Sequence, residues 1–451
     1  MTPNRSLGLS LELKSIMRTN LLRNIDADFP FELIEKYELV ENKKITRDRV
    51  YNMENTLLTM LLSAFNEDKS LKQSVITFKE VFEFKGAQLQ EKEILQLRQV
   101  KENHRQCSGE PKRRGRPNLY QSRLAKSKVK EVSDNTAAYT KARGRLDKEI
   151  VERVFAYSTD FKELNGKKWH GMPVAVTDGT YFQMQDTPAL RKKYYVKEGD
   201  NAYPQGLLQA ILWQGSGQVL DFAIGTRHQS ELELVKPLLE KLPAGNLLLA
   251  DDFYNTYAIF CLIQKKGCHI IVPGKRERNY EVIQKFSDGD EIVELSKTSK
   301  PDWLSKTEWD QLPGKITMRR ISYPSFEDEN KEWVLYTTIT NEKIKKEEII
   351  LKYTIRWDIE ITIREIKTIM GINIARSKTE DMVLKEITIA LTAYNMIRKI
   401  IAKSVEQTDF SPQSYFLQKC FEANQSLLVD KKGRVYQRWS TGRYGQTNEE
   451  N

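Results

Sequence analysis

The chain has 451 residues, 39% of them hydrophobic and 30% charged, enough for two or more domains with a sizeable core. Its net charge of +10 and pI near 9.1 favour a polyanionic partner. No apolar run is long enough to span a bilayer, and Asn4, Arg5 and Lys14 interrupt any secretory pattern at the start, so a cytoplasmic protein without a membrane partner is expected.

From about Ser10 to Lys101 apolar residues recur at three- and four-residue intervals, clearest in Met53–Phe65 and Val75–Phe84, which predicts a helical N-terminal region. A basic block follows. Lys112, Arg113, Arg114, Arg116, Arg123, Lys126, Lys128 and Lys130 occur with no acidic residue among them. Such a block reads either as a solvated linker or as a segment that lies along phosphates. Its Lys112-Arg113-Arg114-Gly115-Arg116-Pro117 centre resembles an AT-hook, whose arginines enter a narrow minor groove. Helical character resumes over Asp134–Tyr157.

The texture changes near Met172. Val174–Thr177 predicts a strand ending at Asp178-Gly179, and Gly206–Trp213 and Gln218–Thr226 predict two more. Ser230, Glu233 and the apolar set Leu232, Leu234, Val235, Leu238, Leu239 and Leu242 describe a capped helix. Asn246–Ala250 is a strand ending at Asp251, Asn255–Lys266 a helix, and Cys268–Val272 a strand. This order predicts an α/β sheet of mixed pairing covered by helices. Between Lys275 and Thr340, stretches at Glu291–Leu295, Ile316–Tyr323 and Trp333–Thr340 predict an antiparallel β insertion. Lys346–Met370 and Met382–Lys403 read as helical, and Asp430–Asn451 as a polar tail.

Chemistry concentrates in Tyr353–Lys367. On a helix turning about 100° per residue, Arg356, Glu360 and Lys367 fall at about −60°, −20° and −40° from Tyr353, one narrow polar stripe. Ile355, Ile359, Ile366 and Ile369 gather elsewhere. By itself the stripe is a solvated face laced with ion pairs. Joined to Asp178 and Asp251, each at a strand end where α/β sheets collect ligands, Glu360 completes a carboxylate triad suited to two Mg²⁺ ions. Scattered cysteines (Cys107, Cys261, Cys268, Cys420) and four dispersed histidines supply no zinc-type ligand set, and buried reduced thiols are expected.

Around Asp178, Asp251 and Glu360, and in the spacing of Tyr353, Arg356, Glu360 and Lys367, the chain resembles DDE transposases of the insertion-sequence-four family. Matching stretches include Ala142-Arg143-Gly144-Arg145-Leu146, Trp169-His170-Gly171, Leu247–Asp251, Arg376-Ser377-Lys378-Thr379 and Ala393-Tyr394-Asn395. The resemblance covers roughly Asp134 to Lys403 in scattered blocks. One departure is Asp252, where members commonly carry Arg. It leaves two adjacent aspartates as alternatives, and Asp251 is preferred because it directly follows the apolar run.

The resemblance implies a ribonuclease-H-like catalytic core with an antiparallel β insertion, a helical N-terminal domain and a helical C-terminal segment. The boundaries are a DNA-binding region with basic linker over 1–133, the first part of the core over 134–274 and the insertion over 275–345. The Glu360 helix then occupies 346–403, and an oligomerising, mobile tail 404–451. It further implies metal-dependent cleavage and strand transfer of a mobile element bounded by terminal inverted repeats. Asp178, Asp251 and Glu360 would hold two Mg²⁺ ions, with Mn²⁺ as a substitute. Tyr353, Arg356 and Lys367 would contact phosphates, Trp333 would stack on a flipped base, and Arg113, Arg114 and Arg116 would contact DNA. The partners implied are double-stranded DNA, as transposon ends and target, and a second copy of the chain in a dimer or larger assembly near the bacterial nucleoid. Two alternatives stand beside this reading: a non-catalytic DNA-binding descendant and a structure-selective nuclease.

Overall fold

The computed structural model describes residues 32–34, 37, 50–66, 68–80, 133–159, 168–194, 202–274, 278–324, 332–354, 356, 362–363, 366–367, 370–405, 428–429 and 435–436. Glu360, Arg113, Arg114, Arg116, Cys107 and Cys420 lie outside these residues. The described residues form two compact units. One comprises those up to Tyr157 together with Lys385–Ala393; the other comprises Ser158–Leu384 and the residues from Tyr394 onward.

The first unit is helical as far as it is described. It contains α1 (Met53–Ala64), a helical stretch over 71–80, α2 (Thr136–Arg145) and most of α3 (Lys148–Thr159). Asn52 caps α1 by accepting from the Asn55 amide at 2.7 Å, satisfying one of the donors that every helix start leaves free. Tyr51 stacks at a tilt on Phe78 and Tyr139, joining α2 to the earlier helices.

The second unit is built on one nine-stranded sheet. Its strands are β1 (Val174–Gln183), β2 (Gln205–Trp213), β3 (Val219–Thr226), β4 (Leu247–Leu249), β5 (His269–Pro273), β6 (Tyr280–Ser287), β7 (Asp290–Ser296), β8 (Lys315–Pro324) and β9 (Glu332–Thr337). The order across the sheet is β3-β2-β1-β4-β5-β9-β8-β7-β6. Strands β1 to β3 form an antiparallel meander, and β4 and β5 run parallel to β1. The β insertion is present and continues the same sheet: β9 pairs antiparallel with β5, and β8, β7 and β6 follow in turn.

The helices of this unit are α4 (Pro188–Lys193), α5 (Glu231–Lys241), α6 (Tyr257–Lys265), α7 (Lys306–Asp310), α8 (Lys346–Thr354) and α9 (Glu380–Val405), the last passing through both units. Ser230 caps α5 through the Glu233 amide, as its sequence predicts. Leu232, Val235, Leu238 and Leu239 of α5, and Tyr257, Ile259, Phe260 and Ile263 of α6, share a core with Ala175, Ile211, Leu248 and Ile270 from the strands. Cys261 and Cys268 are buried free thiols, pushed up by burial, in line with expectation.

Three sequence expectations need correcting. Strand β1 does not end at Asp178; it runs on to Gln183, because β2 stays in register with it from Ala175 to Gln183. The strand that ends is β4, whose pairing with β1 stops at Val176↔Leu249. Second, helix α8 stops at Thr354 instead of continuing to Lys367. The Thr354 hydroxyl donates to the Leu351 carbonyl at 2.7 Å, and the Arg356 amide closes a tight turn onto the Tyr353 carbonyl at 2.9 Å. The chain is helical again at 362–363 and 366–367, with Ile366 buried. Third, β6 carries almost no buried side chain, so no alternating pattern marks it as a strand.

Candidate active site

The site forms where β1 outlasts its parallel neighbour. The parallel pairing Val174↔Leu247, Ala175↔Leu248 and Val176↔Leu249 stops two residues before Asp178 on one strand and two before Asp251 on the other; continued, it would set the two opposite each other. Asp252 would then fall beside Gly179 and belongs to the short 3₁₀ turn Asp252–Tyr254. Asp251 caps that turn, its Oδ1 accepting from the Phe253 amide at 2.9 Å. Asp178 Oδ1 accepts from the Gly179 amide at 2.8 Å. Alternation along the strand puts Asp178 and Thr180 on one face and Thr177 and Gly179 on the other.

Part of the tyrosine-arginine-lysine set comes to the same place. Lys367 donates from Nζ to Thr180 Oγ1 at 3.1 Å, on the Asp178 face of β1. Just beyond, residues 373–375 lie along the end of β1, with Gln183 donating to the Asn373 carbonyl and Ala375 to that of Gln183, each at 2.8 Å. Tyr353 is buried. Burial pushes its phenol well up, the Arg356 guanidinium opposes this, and the Asp251 charge adds to it, so Tyr353 lies within electrostatic reach of Asp251. The Arg356 guanidinium stands 5.8 Å from the Tyr353 ring centre.

Sequence reasoning missed Glu231 as a member of this site. It is the first residue of α5, and Tyr254 Oη donates to its Oε2 at 3.1 Å. Burial and the nearby Asp178 charge raise its carboxyl to about 7; the Tyr254 hydrogen bond opposes the shift and Asp251 adds to it. Its contact with Gly179 crosses from helix to sheet, which the α5 pattern does not announce.

Trp333 lies half-buried on β9 opposite Tyr323, ring centres 6.4 Å apart. Trp309 belongs to the apolar core and Trp303 packs against it. His228 is an exposed turn residue. Asn395, from the Ala-Tyr-Asn stretch, is buried and acts as a strand edge for β3: it accepts from the Val219 amide at 2.8 Å and donates to its carbonyl at 2.9 Å.

Oxygen donors of this kind suit a hard divalent cation. Asp178 and Asp251 both act electrostatically on Glu231, a half-buried acid with no lysine or arginine in ion-pair range among the described residues. The donor set therefore fits such an ion in kind. Among the described residues, no three acidic, histidine or cysteine side chains surround a single point.

The Transposase DDE domain family matches residues 169–396, half of the chain, and that segment holds every element just described around Asp178 and Asp251. The chain belongs to the DDE transposase family. Transposase InsG for insertion sequence element IS4 of Escherichia coli (strain K12) is 29% identical over 280 residues, 60% of this chain and 62% of InsG. Putative transposase InsZ of the same organism is 27% identical over 179 residues, 38% of this chain and 56% of InsZ. The chain thus spans less than two thirds of either relative. A cryo-EM structure of the piggyBac transposase synaptic complex with hairpin DNA aligns over 92% of this chain and 80% of its own, at a TM-score of 0.37 and 10% identity. A likeness that loose identifies neither fold nor function. Among the described residues, no helix is long and apolar enough to cross a membrane.

Proposed function

We propose that this chain is a transposase that binds the terminal inverted repeats of an insertion sequence, cleaves phosphodiesters at its ends and joins them to target DNA. The observation that supports the reading is the parallel pairing of β1, which carries Asp178, with β4, which Asp251 follows by two residues. The strand order β3-β2-β1-β4-β5, with β4 and β5 parallel to β1, supports a ribonuclease-H-like core. Net positive charge and the basic block at Arg113, Arg114 and Arg116 support a DNA partner.

In this reading Asp178, Asp251 and Glu360 would hold a pair of Mg²⁺ ions, or Mn²⁺ in their place. When bound, such a pair lowers the barrier to in-line attack on phosphorus and to departure of the leaving oxygen. The protein's own groups bind and orient. Lys367, fixed beside Thr180, brings a point charge to the phosphate next to the one cut. Arg356 offers a guanidinium fork for two phosphate oxygens. The Tyr353 phenol stays protonated at working pH and donates a hydrogen bond without adding negative charge near Asp251. Trp333 stacks on an unpaired base. Two copies of the chain bring the two element ends together, acting in the cytoplasm on chromosomal DNA.

The test uses purified full-length protein, Mg²⁺ or Mn²⁺, and DNA carrying the inverted repeats that flank its gene. Cleavage at the repeat ends followed by strand joining is expected, and loss of both in Asp178→Asn and Asp251→Asn. DNA binding with no cleavage in either metal would favour a non-catalytic descendant. Cutting of branched DNA without joining would favour a nuclease. Undiminished cleavage by both variants would overturn the site assignment.

A further inference from the structure

The geometry points to Glu231 as a fourth acidic residue of the reaction centre, its carboxyl set against Gly179, the residue next to Asp178. This rests on the metal-ion reading of Asp178 and Asp251 given above.

Three observations converge on it. The first is the gap at Gly179. A Cβ at position 179 would stand 2.5 Å from Glu231 Cδ and 2.6 Å from its Oε1, so the carboxyl occupies the space where a side chain would be. A side chain at position 179 would oblige the Glu231 carboxyl to shift.

The second is how Glu231 is held. Tyr254, fully buried, belongs to the turn that Asp251 caps, and its hydroxyl donates to Glu231 Oε2. One hydrogen bond thereby ties the start of α5 to the Asp251 turn. A phenol is a weak counterweight for a carboxylate withdrawn from water, and among the described residues no basic side chain stands within ion-pair distance of it. A cation is the partner such a group lacks.

The third is independent of the acids. Gln209, the cross-strand partner of Gly179, is wholly buried. Its Nε2 donates to Thr177 Oγ1 at 2.8 Å, while its Oε1 has no hydrogen-bond partner. That oxygen stands 2.9 Å from the same Cβ position that Glu231 crowds. A buried carbonyl oxygen left without a donor is costly, and here it faces the gap beside an acid. Asp178, Glu231 and Asp251 do not surround one point.

The experiment measures Mn²⁺ binding to the full-length protein by electron paramagnetic resonance of the free ion, alongside DNA cleavage. Glu231→Gln keeps the size and the tyrosine hydrogen bond, and its Mn²⁺ affinity is expected to fall about tenfold or more. Glu231→Asp keeps the charge but withdraws the carboxyl by one methylene, and is expected to lose nearly as much. If Glu231→Asp binds Mn²⁺ like the wild type, only the charge matters and the inference is overturned. The same holds if Glu231→Gln stays within twofold of the wild type while Asp178→Asn loses binding. If Asp178→Asn and Asp251→Asn both bind normally, it is the metal-ion reading of those two residues that fails. Should the Glu231 variants not fold, Tyr254→Phe, which frees the carboxyl without removing it, is expected to weaken Mn²⁺ binding threefold or more. Unchanged affinity there would count against the inference.

Discussion

Acids withdrawn from water occur in the β insertion and beside the five-stranded half of the sheet, but the two regions neutralise them differently. In the insertion, Asp290 on β7 receives two nitrogens of Arg319 at 2.7 and 2.6 Å, and Glu291 receives Arg320 at 3.1 Å. Arg319, only 1% exposed, also donates to the Asn341 and Ile344 carbonyls, so its charge is spent on holding strands and the loop before α8. Beside the five-stranded half, Glu231 has a phenol where Asp290 has an arginine. Strand lengths differ in the same sense. The antiparallel strands β7, β8 and β9 match one another closely, whereas β4 stops three residues in and leaves β1 open beyond Val176. The contrast teaches that an acid matched by arginine in a complete ladder is a structural part. An acid at an unmatched end, with no basic partner, is poised for something that arrives from outside.

The comparison can be broken by experiment, beginning with activity. Asp178→Asn is expected to lower end cleavage by about 10³-fold or more, with the unfolding midpoint preserved; a drop in stability of similar weight would make Asp178 a structural acid like Asp290. In the insertion the expectation reverses. Arg319→Ala leaves Asp290 buried without its cation and should cost about 3–5 kcal/mol in urea unfolding, while Arg319→Met paired with Asp290→Leu should recover most of it. Gly179→Ala forces the Glu231 carboxyl aside and should cost about 1–3 kcal/mol by overpacking, and a neutral result would mean that the helix start yields freely.

A smaller effect concerns pH in metal-free buffer. Glu231 titrates near 4.5 in an unfolded chain and at about 7 in the folded one, so the folded state binds the extra proton between these values. Its contribution to stability is then fully present below pH 4.5 and lost as pH rises through about 7. The wild type should lose ground to Glu231→Gln between pH 5 and pH 8, read as a widening gap in urea midpoint; a constant gap would refute the raised value. Smallest of all, Lys315→Ala removes exposed contacts with Glu281 and Glu294 and should leave the midpoint unchanged.

Much of the fold was legible because burial leaves a pattern. The apolar runs at Leu247–Leu249 and His269–Pro273 read as strands, and the Ser230 cap marked its helix. Strand β6 escaped because a solvent-facing edge has no reason to alternate. The end of β1 was misplaced because Asp-Gly is a turn signal locally, while its conformation is decided by β2, a partner some thirty residues away. Asp178 and Asp251 could be picked out from their neighbours in sequence. Glu231 could not, since its place depends on what position 179 lacks. The Tyr353–Lys367 segment read as one helix, whereas α8 ends at Thr354.

The pairing of β5 with β9 carries a cost during synthesis. Until the ribosome has made Glu332–Thr337, the outer rim of His269–Pro273, an Ile-Ile-Val run, has no neighbour to bond. A product cut short inside the insertion would display that bare rim and should self-associate or be degraded. Premature stops in this gene should therefore yield insoluble fragments, with no soluble half-protein accumulating.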